Sequence, residues 1–335
     1  MANVTEDALR AQQAGARNTL AAFSVVPTSA ALGAEIHGVD FSLPVPEDVK
    51  AALRKAWAEH LVLLVRNQNI DDEGLIATAG IFGPPHTAAS RQYHLNVGKQ
   101  VDDKHMLSRH PSVSIISNLD ADGNPVLDNG GLGSYEVVWH TDNSYVEVPP
   151  AGSMLYSLEV PPPGSGGDTS FNNQYLAYEE LPAELKQAIE GKSQVHDSTR
   201  NSAGILRPGV KLAATPEEVP GPTHPLVRVH PVTGKRALYL GRRRDWPSNY
   251  IIGMSNADSE ALLDKLWAHA TQPKYAWTHR WSVGEWVLWD NRCCMHYRTE
   301  IDLAHRRVMH RTTIKGEPVA APWGRDEARD QTTGI

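Results

Sequence analysis

Apolar positions along this chain follow two periods. In residues 46–60 (PEDVKAALRKAWAEH) they recur three and four apart, behind a proline suited to a first helical turn and two acidic residues, which predicts a helix. LVLLV at 61–65 is a continuous apolar run of strand length. A second helix is expected over 71–82, stopped by Phe82-Gly83-Pro84-Pro85. Residues 84–134 are mostly polar, and only SVSIISNL at 112–119 reads as a strand. A loop of that length is a lid, a binding loop or a surface insertion, and the pattern leaves these open. From 137 onward strands dominate. They are expected at 152–160, in a hairpin over 224–241 around Val232-Thr233-Gly234, at 281–291 and at 306–314. Helices are expected over 175–191 and over 256–271, the latter opening on an Asn/Asp cap signal. Residues 1–23 read as a weak helix or loose arm, and 319–335 as a polar, flexible tail. Short strands with helices between them predict a mainly β protein with flanking helices, one β-sandwich or jelly-roll domain over 24–318.

Composition then removes function classes. The 335 residues carry a formal charge of −7 and are 41% hydrophobic, as in a soluble globular protein. The negative balance argues against nucleic acid as a partner, which needs a clustered positive face. The one compact basic run, Arg242-Arg243-Arg244, is too short to change that; it reads as a solvated cluster, with an anion-binding role the alternative. No apolar stretch approaches the roughly 20 residues that cross a bilayer, so no membrane partner is expected. The N-terminal segment lacks the apolar centre of a secretory signal. The only cysteines, Cys293 and Cys294, are adjacent, and neighbours rarely bridge without strain. They read as core thiols, and a reducing cytoplasm is the expected setting.

The chemistry begins at Trp139-His140-Thr141-Asp142. On a strand, residues two apart point to one face, so His140 and Asp142 converge. An imidazole and a carboxylate suit a divalent metal, and a second imidazole completes the facial triad of non-haem iron oxygenases. His296, in WDNRCCMHY, is the candidate. Arg307 and Arg311 follow it by 11 and 15 residues and share a face if 306–314 is a strand. Each feature has a plainer alternative: His-x-Asp pairs occur on surfaces, and the chain has 15 histidines. Spacing alone therefore leaves the triad open.

The chain resembles the TauD/TfdA family of Fe(II)- and 2-oxoglutarate-dependent dioxygenases. The resemblance covers roughly 25–318 and rests on five blocks in family order: LGAEIHGVD at 32–40, WHTDNSYVEVPPAG at 139–152, GGDTSF at 166–171, HPLVRVHPVTGKRALYLG at 224–241, and WDNRCCMHY with RRVMHRTTIKG over 289–316. It implies a double-stranded β-helix, with His140, Asp142 and His296 as iron ligands. It further implies that Thr169 and Arg307 hold the distal carboxylate of 2-oxoglutarate, with Arg311 at the anionic end of the prime substrate. O2 is the oxidant, succinate and CO2 are released, and relatives are commonly dimers or tetramers. The expected substrate is a small organic anion, an aryloxy or alkyl carboxylate ahead of a sulfate or sulfonate, or an amino-acid-like or natural-product acid. Two departures from the taurine pattern stand out. In FGPPHTA, His86 matches the first family histidine, but the second falls on Ala88; and Glu136 replaces a substrate-contacting Asn. Taurine is therefore disfavoured. His86 and Glu136 remain substrate-contact candidates, Glu136 either pairing with a cation or facing solvent. His94, His105 and His110 read as surface residues, and Trp246, Trp277 and Trp281 mostly as packing. Thr169, Arg307 and Arg311 at family spacing disfavour a zinc hydrolase, and the intact set of three ligands disfavours a non-catalytic jelly-roll binding protein.

Overall fold

The computed structural model describes residues 18–87, 91, 108–207 and 209–323. Strands β1 (Ser24–Pro27), β2 (Ala34–His37), β3 (Val62–Val65), β4 (Pro85–His86), β5 (Ser114–Ser117), β7 (Gly152–Glu159), β14 (Trp286–Asp290) and β16 (Val308–Ile314) make an eight-stranded sheet. Its order is β1-β2-β3-β14-β7-β16-β4, with β5 also on β16. A second sheet has the order β13-β8-β15-β6, from β6 (Val137–His140), β8 (Thr169–Asn173), β13 (Ala276–His279) and β15 (Cys294–Arg298). Two small ribbons remain: β9 (Ser193–Val195) with β10 (Thr223–Pro225), and β11 (Val227–Val229) with β12 (Arg236–Leu238).

Alternation along β7 and β14 explains the layers. Met154, Tyr156, Trp286 and Leu288 point outward onto Leu53 and Trp57 of α1 (Glu47–His60) and Leu75 of α2 (Asp72–Phe82). Leu155, Val287 and Trp289 point inward and meet Phe171 and Cys294 of the smaller sheet. Each such side chain, fully buried, contributes roughly 1.5–3 kcal/mol. β3 is covered on both faces, which is why LVLLV shows no alternation. The outer face of the smaller sheet, through Met295, packs under Ala177 of α3 (Gln174–Glu179), Ile189 of α4 (Ala183–Ile189) and Leu266 of α5 (Asn256–Ala270). The molecule is thus mainly β, a sandwich of two sheets with few helices.

Most expected elements form. The single helix expected over 175–191 is instead two, α3 and α4. Asn173 caps the first, its side chain accepting from the Tyr175 and Leu176 amides, and Pro182 opens the second. A proline inside a continuous helix would lose a backbone hydrogen bond and clash with the preceding turn. The last strand begins at Val308 with a register shift between Val308 and Met309, so Arg307 stands just ahead of it. Within 84–134, β4 appears as well as the expected β5. Ala88, His94 and His105 lie outside the described residues, as does most of the expected N-terminal arm. Among the described residues no helix is long and apolar enough to cross a membrane.

Candidate active site

β6 and β15 are antiparallel neighbours, and His296 stands directly opposite His140. Directly paired residues project from one face, so both rings enter the interior between the sheets; their centroids are 4.0 Å apart. Asp142 follows on the loop after β6. Asn291 fixes that loop, accepting from the Asp142 amide at 2.8 Å and donating to the Asp142 carbonyl at 2.8 Å. The Ser153 hydroxyl, from β7 of the facing sheet, donates to Asp142 Oδ2 at 2.7 Å. Oδ1 then lies 3.7 Å from His140 Nε2 and 3.9 Å from His296 Nε2. His140 Nδ1 is 2.8 Å from the Val138 carbonyl. A hydrogen bond there places the proton on Nδ1 and leaves Nε2 as a lone-pair donor, the usual support for a ligating imidazole.

One ligand atom from each of the three residues lies within 4.8 Å of the others. Burial pushes both imidazoles down toward the neutral form. Burial alone would raise the Asp142 carboxyl, but the Arg311 charge and the two imidazoles hold it well below the usual carboxylate range. Two neutral imidazoles and one carboxylate are the ligating forms of these groups at neutral pH, and the donor set fits iron(II).

The triad opens into a small cavity also lined by Thr169, Arg298 and Arg311. Arg311 Nη1 is 3.4 Å from Asp142 Oδ1. Thr169, opposite Arg298 in the β8–β15 pair, accepts from Trp281 Nε1 at 2.9 Å. Arg307 is 1% exposed, and its side chain covers Gly167, where a Cβ would come 3.1 Å from the Arg307 Cδ. Burial pulls its guanidinium down to about 10, and among the described residues its Nε has no hydrogen-bond partner. The Arg307 guanidinium is thus a buried cation with an unpaired Nε, packed over Gly167 two residues ahead of Thr169.

His86 and Glu136 are not brought to this cavity. Both are exposed; His86 sits at the sheet edge opposite Thr313, and Glu136 accepts from the Tyr297 hydroxyl. His110 is 3.2 Å from Glu73. A larger cleft, about 930 Å³ with open space included, is lined by Arg200, Arg244 and the half-exposed Trp246 and contains none of the triad. The donor atoms of His230, Asp290 and Cys293 also cluster. There, however, Arg292 already occupies the carboxylate at 2.9 and 2.7 Å and His230 bonds it at 3.0 Å, so a cation has no free acceptor to take. Both cysteines are buried and free, as expected of core thiols.

Sequence reasoning missed Ser153, Asn291 and Arg298. Arg298 was within its reach, because His296 and Arg298 stand two apart on β15. Ser153 and Asn291 act across strand pairings that no local pattern shows. Ser153→Ala is expected to weaken iron(II) binding about 10- to 100-fold, the usual cost of losing an orienting partner of a metal ligand. Anaerobic equilibrium titration with iron(II) measures it, and an unchanged affinity would show that Asn291 alone orients Asp142.

Two imidazoles and a carboxylate between the sheets of a β-sandwich, with buried arginines beside them, define a non-haem metal oxygenase. Residues 24–313 match the family model described as "Taurine catabolism dioxygenase TauD, TfdA family", and the chain belongs to that family. It is 31% identical over 305 residues to the (S)-phenoxypropionate/alpha-ketoglutarate-dioxygenase of Sphingobium herbicidovorans, covering 89% of this chain and 97% of the relative. It is 32% identical over 319 residues to the alpha-ketoglutarate-dependent sulfate ester dioxygenase of Pseudomonas putida, covering 92% and 94%. The crystal structure of AAD-2 in complex with Mn(II) and N-oxalylglycine is similar at TM-score 0.70 and 28% identity, covering 89% of this chain and 99% of that one.

Proposed function

We propose that this chain hydroxylates a small organic anion, foremost an aryloxyalkanoate or related carboxylate, at the His140–Asp142–His296 site. It is a dioxygenase that uses iron(II), 2-oxoglutarate and O2. The observation that carries the reading is the triad, with Arg298 and Arg311 lining the same cavity, in a TauD/TfdA family member. N-oxalylglycine, present with Mn(II) in the AAD-2 structure, has the skeleton of 2-oxoglutarate with NH in place of one methylene, which supports 2-oxoglutarate as the cosubstrate.

With iron(II) and 2-oxoglutarate bound, the site supplies oxidative decarboxylation: one oxygen atom of O2 enters succinate, with loss of CO2, and the other enters the substrate. The protein's part is positional. His140, Asp142 and His296 hold the metal. Thr169 and Arg307 fix the cosubstrate's far carboxylate, and Arg311, 3.4 Å from Asp142, adds positive charge beside the metal. Leu155, Ile116 and Trp289 present an apolar wall to the substrate's hydrocarbon part and exclude water. Hydroxylation at a carbon that bears an ether oxygen gives a hemiacetal or hemiketal, which collapses to a phenol and a carbonyl compound. Hydroxylation beside a sulfate ester is the second reading, supported by the similarity to the sulfate ester dioxygenase. The sandwich is read as a double-stranded β-helix, with 24–318 as one domain and a homo-oligomer, dimer or tetramer, as the assembly. Glu136 and His86 keep a substrate role only at the rim.

The test is succinate release from the iron-loaded enzyme with phenoxyacetate, 2-phenoxypropionate, hexyl sulfate and taurine, against a no-substrate control. A phenoxyalkanoate is expected to raise succinate formation at least about tenfold, equivalent to ~1.4 kcal/mol, and taurine to leave it at background. Stimulation by taurine alone would overturn the substrate reading.

A further inference from the structure

The basic run Arg242-Arg243-Arg244 is not the solvated cluster its sequence suggests. Only Arg243 faces outward, pairing with Glu260 at 2.7 Å and Asp264 at 2.8 Å on α5. Arg244 turns back and donates to the Asn201 carbonyl at 2.7 Å. Arg242 is buried, 5% exposed. Its Nη2 donates to Ser202 Oγ at 2.6 Å. Its Nε and Nη1 have no hydrogen-bond partner among the described residues.

Ser202 lines the metal cavity together with His140, Asp142 and His296. Arg242 therefore stands one hydrogen bond behind the cavity wall. Tyr145, three residues beyond Asp142, carries two guanidinium groups near its ring, Arg207 at 4.4 Å and Arg242 at 5.6 Å from the centroid. The Arg207 Nε is likewise buried without a partner among the described residues. A buried guanidinium that keeps donors unpaired costs several kcal/mol, and like charges beside it add to that cost. An oxyanion with two oxygens satisfies both complaints in one contact. Arg311 is differently placed, because its charge already bears on Asp142 at 3.4 Å. Burial pulls the Arg242 guanidinium down to about 10, with Arg244 and Arg207 contributing, which leaves it charged at neutral pH.

We propose that Arg242, oriented by Ser202, anchors the anionic group of the prime substrate, a carboxylate or a sulfate. This rests on the dioxygenase reading above and names the substrate subsite within it. The experiment is calorimetric binding of phenoxyacetate, hexyl sulfate and the uncharged phenoxyethanol to the full chain loaded anaerobically with iron(II) and 2-oxoglutarate. In the wild type at least one anion binds tenfold or more tighter than phenoxyethanol, and the anion preferred identifies the substrate class. Arg242→Met abolishes that preference while the visible band of the iron–2-oxoglutarate complex titrates as in the wild type. Persistence of the preference in Arg242→Met overturns the proposal, and so does its absence from the wild type. Loss of the 2-oxoglutarate band in Arg242→Met also overturns it, by assigning the arginine to the cosubstrate. Ser202→Ala decides the matter if Arg242→Met does not fold: it keeps the charge but frees its orientation, and the anion then binds at least threefold more weakly. Wild-type affinity in Ser202→Ala would overturn the proposal. Failure of the function itself reads differently, as a wild type that forms no band and no succinate.

Discussion

Asp142→Ala is expected to leave a folded chain that does not retain iron(II) and forms succinate at least about a thousandfold more slowly, ~4 kcal/mol of lost transition-state stabilisation. The expectation follows from the division of labour at this carboxylate. Oδ2 is taken by Ser153, Oδ1 faces both imidazole Nε2 atoms, and the backbone is clamped by Asn291. It is the only anionic ligand of the triad, so without it two neutral imidazoles must hold a dication unaided. The fold survives because the Asn291 clamp acts on the Asp142 backbone and is untouched by the substitution. The Ser153 hydroxyl and the Arg311 guanidinium lose an acceptor, which costs about 1–3 kcal/mol in stability. Iron content by metal analysis, succinate by chromatography and the melting temperature of the metal-free protein separate these effects. Near-normal succinate formation by this variant would remove Asp142 from the metal site.

The legible parts of this molecule are those written in short-range order. The periods of 3.6 and 2 place α1, α2, α5 and the principal strands, and the two-residue spacing marks His140 and Asp142 as a pair, although Asp142 lies past the end of β6 and is set by the Asn291 clamp, not by a strand face. What the sequence hides is set by pairing between distant segments. That His296 faces His140 is a matter of β6–β15 register: sequence context offered His296 only as a candidate, and the family blocks singled it out. The bulge at Val308 displaces Arg307 from the regular strand, so the simple face argument for Arg307 and Arg311 does not describe how each is held. Arg242 shows the limit most clearly. Three consecutive arginines look alike in sequence, yet one pairs outward, one pins a turn and one is buried behind the metal cavity, because the chain beyond β12 is irregular and has no period to read. His86 and Glu136 are exposed and do not line the described cavity, which for Glu136 is the solvent-facing alternative that its sequence context left open.

Arg307→Met carries the second large effect, and its sign differs between binding and stability. A guanidinium fork pairs bidentately with a carboxylate, an arrangement that a thioether cannot imitate. 2-Oxoglutarate is therefore expected to bind about a hundredfold more weakly, ~2.7 kcal/mol at about 1.4 kcal/mol per tenfold, read from the visible band during anaerobic titration. Iron(II) affinity should be unchanged, since the triad does not include this residue. The metal-free protein, by contrast, should melt no lower than the wild type. Arg307 is buried with its Nε unpartnered among the described residues; the Arg298 charge repels it and the Asp168 charge only partly offsets its burial. Replacing such a cation by an apolar side chain of similar length removes a desolvation cost. In the wild type, excess 2-oxoglutarate in the presence of iron(II) should raise the melting temperature through its preference for the folded state, and this rise should nearly vanish in Arg307→Met. A variant that binds 2-oxoglutarate normally would assign the distal carboxylate to Arg298 instead. A variant that melts well below the wild type would show that Arg307 is held by the fold for packing rather than for its charge.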